Sequence, residues 1–401
     1  MVPRTLLQRG TDRYDCVMAI EHWLRLAMTD GIGPILIRRI IGAAGGAAAA
    51  CEASLSLIRN IDGIGRAKAS AILESMRGAK VNEEIARCRE LDVSLICPDD
   101  EMYPTLLKEI PDPPAVLYLR GSFEARDLNG IAIVGSRKCS YYGREQAERF
   151  GALLAGAGFS VISGGARGID SAAHRGAMSH SQGRTIAVLG SGIDVPYPPE
   201  NSPLFEQIAG RGAVVSEYPL GTPPLKDNFP RRNRIVSGLS RGVLVIEADK
   251  RSGALITARQ ACDDHGRTVF ALPGRVDHSL SEGPHQLIRD GAVLTTCLDD
   301  IVNNLGPLPE SVHAIPVGAT LVSPFSGAEE GDTSVAPTVA LTDRQQLLVG
   351  HMGGDPVHVD LLIERTGLSA QDILQDLTML SLKGVVRRMD GQSFVRRGAL
   401  R

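Results

Sequence analysis

The densest chemistry-bearing stretch of the 401-residue chain is Lys226-Asp227-Asn228-Phe229-Pro230-Arg231-Arg232-Asn233-Arg234. From Leu225 to Arg241 there are five basic residues (Lys226, Arg231, Arg232, Arg234 and Arg241) and one acid, a net charge of +4. Phe229 sits among these charges and before a proline, in an expected loop. A lone ring among cations can stack a base while its neighbours hold phosphates. The alternative is internal use: Phe229 caps a hydrophobic edge, and some arginines pair with Glu217 or Glu247.

Two glycine-bearing turns could serve the same chemistry. Gly135-Ser136-Arg137-Lys138 follows the apolar run at 131–134. Glycine permits a sharp turn there. Ser136 and the following amides could meet an anion, and Arg137 brings a planar, fixed charge. A plain strand-to-helix turn would look the same. Ser163-Gly164-Gly165-Ala166-Arg167-Gly168-Ile169-Asp170 follows the run at 160–163. Its glycines strip a loop of side chains, so its amides could form an anion nest at the start of a helix. The spacing is GGxxG rather than GxGxxG, and no acidic strand end suits a ribose, so it is no dinucleotide fingerprint. Asp170 and His174, four apart on one helix face, read as a pair that pins this loop. Ser252 to Ala258 opens one more helix near the same edge, a weak signal alone.

Other chemistries lack their residues. There is no GxxxxGK[ST] phosphate loop, GxSxG elbow, HExxH or CxxC. The seven cysteines are odd in number and widely spread, which fits a reducing cytoplasm rather than disulfides or a zinc knuckle. No metal and no cofactor are expected. No apolar stretch approaches the length of a membrane span, and the first residues resemble no secretory signal, so a cytoplasmic protein without a membrane partner is expected. Lys+Arg number 43 against 46 Asp+Glu, a net charge of −3, which excludes a globally basic DNA-coating protein. Any nucleic-acid contact must be local. Aromatics make up only 4%, so a stacking platform must rest on one or two rings.

These turns need a frame. Short apolar runs at 131–135, 160–164, 185–190, 213–217, 242–248 and 268–274 alternate with amphipathic helical stretches. Continuous Val/Ile/Leu strands between helices predict an α/β fold, a doubly wound parallel sheet over 96–305 with its ligand beyond the carboxyl ends of the strands. Residues 1–95 read as a helical domain. In it Asp30-Gly31-Ile32-Gly33 recurs as Asp62-Gly63-Ile64-Gly65, each before a helical pattern. This is helix-hairpin-helix logic, whose turns either hold a DNA phosphate or merely tighten a small interaction domain. Residues 306–340 carry five prolines and four glycines and read as a flexible linker. Residues 341–401 read as three helices and a two-stranded wing about Asp390-Gly391, a winged helix. Its presumed recognition helix, 369–383, is expected to expose Asp372 and Asp376, which would repel phosphate. A protein-interaction or weak DNA-touching role follows.

In this order, GSRKCSYYG (135–143), SGGARGIDSAAH (163–174), AVLGSGIDVPYPPEN (187–201), SEYPLGTPPLKDNFPRRNRIVSGLS (216–240), EADKRSGALITA (247–258) and VFALPGRVDHSLSEGPHQLIRDGA (269–292) resemble the DNA-processing protein A family, DprA or Smf. The likeness covers the whole central domain and extends more weakly to both ends. It implies an extended Rossmann-like core that binds single-stranded DNA and forms a homodimer. It also implies an N-terminal SAM-like or helix-hairpin-helix-like domain and a C-terminal winged helix. It further implies a recombination mediator that shields incoming single strands, helps displace single-strand-binding protein and loads RecA recombinase during natural transformation. The family's pocket falls on Arg137, Lys226 and Phe229, with Ser136, Ser163 and Gly164 as amide or hydroxyl contacts. Lys138, Gly165, Arg167, Arg231, Arg232, Asn233 and Arg234 join them as DNA-binding candidates from charge and loop position. No catalytic turnover is expected. Two readings stand beside it: a phosphoribohydrolase-like enzyme, whose PGGxGTxxE segment is missing here, and a regulator reading duplex DNA through the winged helix.

Overall fold

The computed structural model describes residues 19–308, 341–352, 356–382, 385–389 and 393–396. The chain divides into two compact units, residues 1–314 and 315–401. Of the linker expected over 306–340, only 306–308 fall among the described residues.

The first unit opens with helices: α1 (19–27), α2 (Pro34–Ala44), α3 (Ala47–Cys51), α4 (Leu55–Arg59), α5 (Arg66–Gly78) and α6 (Val81–Glu90). The two Gly-Ile-Gly turns do open helices, with Gly33 and Gly65 as N-caps of α2 and α5. Leu26, Ile40, Ile58, Ile72 and Met76 form the core between these helices. Another face of the bundle is shared: Ile20, Leu24, Val81 and Cys88 pack with Val116, Tyr118, Leu189 and Val214 of the α/β part. The buried Glu84 accepts hydrogen bonds from the Tyr118 hydroxyl (3.0 Å) and the Leu220 amide (2.7 Å). The boundary expected at 95/96 thus falls inside one compact unit.

The chain next supplies β1 (Ser94–Ile96), α7 (Thr105–Lys108), β2 (Leu117–Gly121), β3 (Gly130–Val134), α8 (Tyr141–Gly156), β4 (Ser160–Ser163), α9 (Ile169–Ser179), β5 (Arg184–Val188), α10 (Ser202–Arg211) and β6 (Ala213–Ser216). It continues through α11 (Asn228–Gly238), β7 (Gly242–Val245), α12 (Gly253–Arg259), β8 (Thr268–Ala271), α13 (Glu282–Arg289), β9 (Val293–Leu294) and α14 (Leu298–Val302). The strands form one sheet in the order β1-β2-β6-β5-β4-β3-β7-β8-β9. β3 to β9 are parallel; β2 runs antiparallel to β6, and β1 antiparallel to β2. The six apolar runs are all strands of this sheet. β1, β2 and β9 lie outside the expected set. All residues of β3 to β7 are buried, as a sheet covered on both faces requires.

β3 pairs with β4 on one side and β7 on the other, so the chain winds away from it in both directions. That switch point leaves a crevice beyond the carboxyl ends of these strands. One buried carboxylate just past β7 fixes one wall. Glu247 accepts the Ser140 amide (2.8 Å) and hydroxyl (2.5 Å), and Ser140 in turn caps α8 by accepting the Gly143 amide (3.0 Å). A negative charge is favourable at a helix N-terminus.

His174 does not pin the glycine loop through Asp170. Its Nδ1 lies 2.7 Å from the Thr185 hydroxyl, which itself donates to the Val161 carbonyl (2.6 Å). Thr185 therefore accepts, and His174 is neutral with its proton on Nδ1. Burial lowers its pKa from 6.5 to about 3, and Nε2 has no hydrogen-bond partner among the described residues.

The second unit contains α15 (Asp343–Gly350), β10 (Val357–His358), α16 (Val359–Thr366), α17 (Ala370–Leu382), β11 (Val386–Arg388) and β12 (Ser393–Arg396), with sheet order β10-β12-β11. Leu348, Leu362, Ile373, Leu377 and Phe394 fill its core. The winged helix is present, with an extra strand before α16; the Asp390-Gly391 turn lies outside the described residues. Asp372 and Asp376 are not the free surface acids expected. Arg344 pairs with both, Gln345 donates to Asp376 (3.2 Å), and Asp376 is buried. Ala370, Gln371, Leu374, Gln375, Thr378, Met379 and Ser381 are the exposed residues described on α17, and none is charged. Acidic repulsion therefore does not describe this helix.

His174 gives a pH test. The native state resists a proton that the unfolded chain takes up near pH 6.5, so its contribution is intact above that pH and falls with acid toward pH 3. The expected slope is at most about 1.4 kcal/mol per pH unit. Urea unfolding from pH 7 to 4 should show this loss in the wild type and a shallower one in His174→Asn. Parallel pH profiles would contradict it.

Candidate nucleic-acid interface

A cleft of about 870 Å³ lies at the switch point. The Gly135–Lys138 turn, Gly164 and Ala166, the first turns of α11 and the start of α12 line it. Lys226 and Phe229 meet Arg137 and Lys138 there, although 88 residues or more separate them in sequence.

Phe229 is in the first turn of α11 rather than in a loop, and it is half-buried. Its ring packs where a side chain on Gly190 would stand: a Cβ there would be 2.9 Å from Phe229 Cδ1. Arg137 places its guanidinium 4.9 Å from the ring centroid. Tyr197, which the sequence pattern does not single out, brings a second ring to 5.6 Å, tilted by 51°. Its one sequence signal is its place in the 187–201 segment.

The cations divide into two groups. Arg137, Lys138, Lys226 and Arg231 are exposed, and none has an ion-pair partner among the described residues. The first three line the cleft; Arg231 lies outside its lining. The others are engaged. Arg234 is buried and pairs with Asp112 (2.9 Å) and, through both terminal nitrogens, with Glu217 (2.9 and 2.7 Å). The internal pairing with Glu217 weighed from the sequence is thus real for this residue, and its charge is not free for a phosphate. Arg232 is also buried. It donates to the Gly164 carbonyl at 2.5 Å and to the Val188 carbonyl. Burial lowers its pKa to about 10, opposed by Asp170, so it stays charged at neutral pH and forms part of the cleft floor. Arg167 is exposed but paired with Glu200.

The glycine loop is not an empty amide nest. The Asp170 carboxylate accepts the Ala166 amide (3.3 Å), so the protein's own acid meets this loop. Burial raises the Asp170 pKa, against the pull of Arg232. Gly164 is needed for room: a Cβ there would lie 2.5 Å from the Arg232 guanidinium. Gly165 is buried behind the Phe205 ring, and Ser163 is buried with its hydroxyl on the Ile133 carbonyl (2.7 Å). Neither lines the cleft. The Ser136 amide is taken by the Glu247 carbonyl (2.6 Å), and its hydroxyl accepts the Lys138 amide (3.1 Å). Asn233 lines the cleft, its side chain held between Arg232 Nε and the Gly253 carbonyl, each at 3.3 Å.

The arrangement offers a ring, three exposed cations without an ion pair among the described residues, and a charged floor. That is the chemistry of an unpaired base with its phosphates. Among the described residues no cluster of His, Cys, Asp and Glu is placed to hold a metal ion, and no helix is long and apolar enough to cross a membrane.

The chain is similar to known proteins over most of its length. The family model described as DNA recombination-mediator protein A matches residues 94–306, and that of the DprA winged helix domain matches 332–392. Protein Smf of Synechocystis sp. is 33% identical over 393 residues, covering 94% of this chain and 98% of its own. DNA processing protein DprA of Streptococcus pneumoniae is 45% identical over 203 residues, covering 51% of this chain and 71% of its own. The X-ray structure of DprA from that species superposes with a TM-score of 0.63 at 35% identity, covering 71% of this chain and 97% of that one. With its core and its winged helix both matched, the chain belongs to the DNA recombination-mediator protein A family, DprA/Smf.

Proposed function

We propose that the cleft binds single-stranded DNA, with one base on Phe229 and flanking phosphates on Arg137, Lys138 and Lys226. The observation that carries this reading is the Phe229 ring set among three exposed cations that have no ion-pair partner among the described residues. Duplex DNA hides the faces of its bases in the stack, whereas a single strand offers them. Arg231 extends the positive rim beyond the cleft. Arg232 and Asn233 act from beneath as shape and charge, and Gly164 gives Arg232 its room. Ser136, Ser163, Gly165 and Arg234 hold the frame rather than the strand, and Arg167 serves through its neighbours.

On this reading the protein is a recombination mediator, not an enzyme. It covers a single strand and passes it to the RecA recombinase in the cytoplasm, as a homodimer, during DNA uptake or general recombination. Family membership and the cleft chemistry support this. The test is filament assembly by RecA on a strand already coated with single-strand-binding protein. Wild type should accelerate it, and a variant lacking strand binding should not. Light scattering tests the dimer separately.

Phe229→Ala should weaken oligothymidine binding by about 1–3 kcal/mol, read by fluorescence anisotropy. Unchanged affinity would remove the stacking role. Arg137→Ala and Lys226→Ala should each lower the magnitude of the log–log salt slope by about 0.7. Arg234→Ala should lower thermal stability instead, since it leaves Glu217 and Asp112 without their partner. Deleting residues 341–401 should leave single-strand binding in place; loss of all DNA binding would favour a duplex regulator acting through the winged helix.

A further inference from the structure

The ring that should receive a base already has a cover. Arg137 stands over Phe229 at 4.9 Å, with no acid holding it elsewhere among the described residues. Tyr197 flanks the same ring at 5.6 Å and 51°. Arg167 in turn places its guanidinium 5.8 Å from the Tyr197 ring and is paired with Glu200. A base sandwiched between the two rings would need them parallel and about 7 Å apart, two stacking distances of about 3.4 Å. The observed tilt and separation exclude that. A base must take a face of Phe229, and a guanidinium now lies over one.

We propose that Arg137 is an exchangeable cap: it covers the stacking face of Phe229 in the free protein and leaves it for a backbone phosphate when a strand binds, so that the base takes the vacated face. This rests on the single-strand reading above. The exchange runs in that direction because an exposed cation–π contact is weaker than a charge-assisted bond to phosphate, and the incoming base restores the stack. Tyr197 is a positioning residue. It holds the Phe229 ring from the side while Arg167 and Glu200 hold Tyr197. The cap makes base entry depend on a phosphate arriving with the base. The ligand class is therefore a nucleobase attached to a phosphodiester backbone, and a base on an uncharged backbone is discriminated against.

The test compares oligothymidine with a thymine peptide nucleic acid of equal length, whose backbone is uncharged. Each is titrated against wild type, Arg137→Ala, Phe229→Ala and the double variant; thermal unfolding confirms that the variants are folded. Arg137→Ala should bind oligothymidine more weakly but the peptide nucleic acid about 2–5-fold more tightly, the worth of an exposed cation–π contact. The double variant should lose that gain. If Arg137→Ala binds the peptide nucleic acid no better than wild type, or not at all, the cap is overturned while the single-strand reading stands. If all variants bind oligothymidine like wild type, the single-strand reading fails and the cap fails with it.

Discussion

The buried guanidinium of Arg232 is the contact on which the cleft depends. It rises from α11 and donates to carbonyls at the ends of two parallel strands, Gly164 just beyond β4 and Val188 of β5. Desolvating an arginine is costly unless its donors are met. Here two backbone carbonyls accept from it and the nearby charge of Asp170 opposes the cost of burial. The consequence is geometric. The helix that carries Arg232 also carries Phe229 one turn earlier, so fixing the guanidinium to the strand ends fixes the ring over the crevice. Gly164 belongs to the same constraint, because any side chain there would collide with the arginine.

A division of labour among like residues follows. Neighbouring arginines in one short segment serve different ends. Arg232 and Arg234 are sunk and bonded to protein, whereas Arg231 and, just before the helix, Lys226 are open to solvent. The glycine loop shows the same economy. Its amide turn meets Asp170, and its bare backbone makes room for Arg232 and Phe205. The formal positive charge lining the cleft is on the side chains of Arg137, Lys138, Lys226 and the buried Arg232, and the first three are the groups a strand can reach without dismantling the core.

Much of this was legible in the sequence because burial leaves a plain mark. The runs at 131–134, 160–163 and 242–245 are apolar without alternation, as strands covered on both faces must be. The convergence of Arg137, Lys226 and Phe229 was implied by the resemblance of their segments to the DprA/Smf family rather than by their spacing. The fate of individual charges was not legible. Arg231, Arg232 and Arg234 share one residue type, and only the phase of α11, the approach of Asp112 from a distant part of the chain and the turn that brings Glu217 back separate them. Asp372 and Asp376 misled for the same reason: their partner, Arg344, is on another helix. Tyr197 left no pattern because its role comes from a ring 32 positions further along the chain.

Photo-crosslinking tests the central claim most directly. An oligothymidine carrying 4-thiothymidine, irradiated with the full chain and digested, reports which peptide a base touches. The account predicts adducts on the α11 peptide that contains Phe229, lost in Phe229→Ala. Adducts confined to residues 341–401 or to the helices before residue 91 would contradict it.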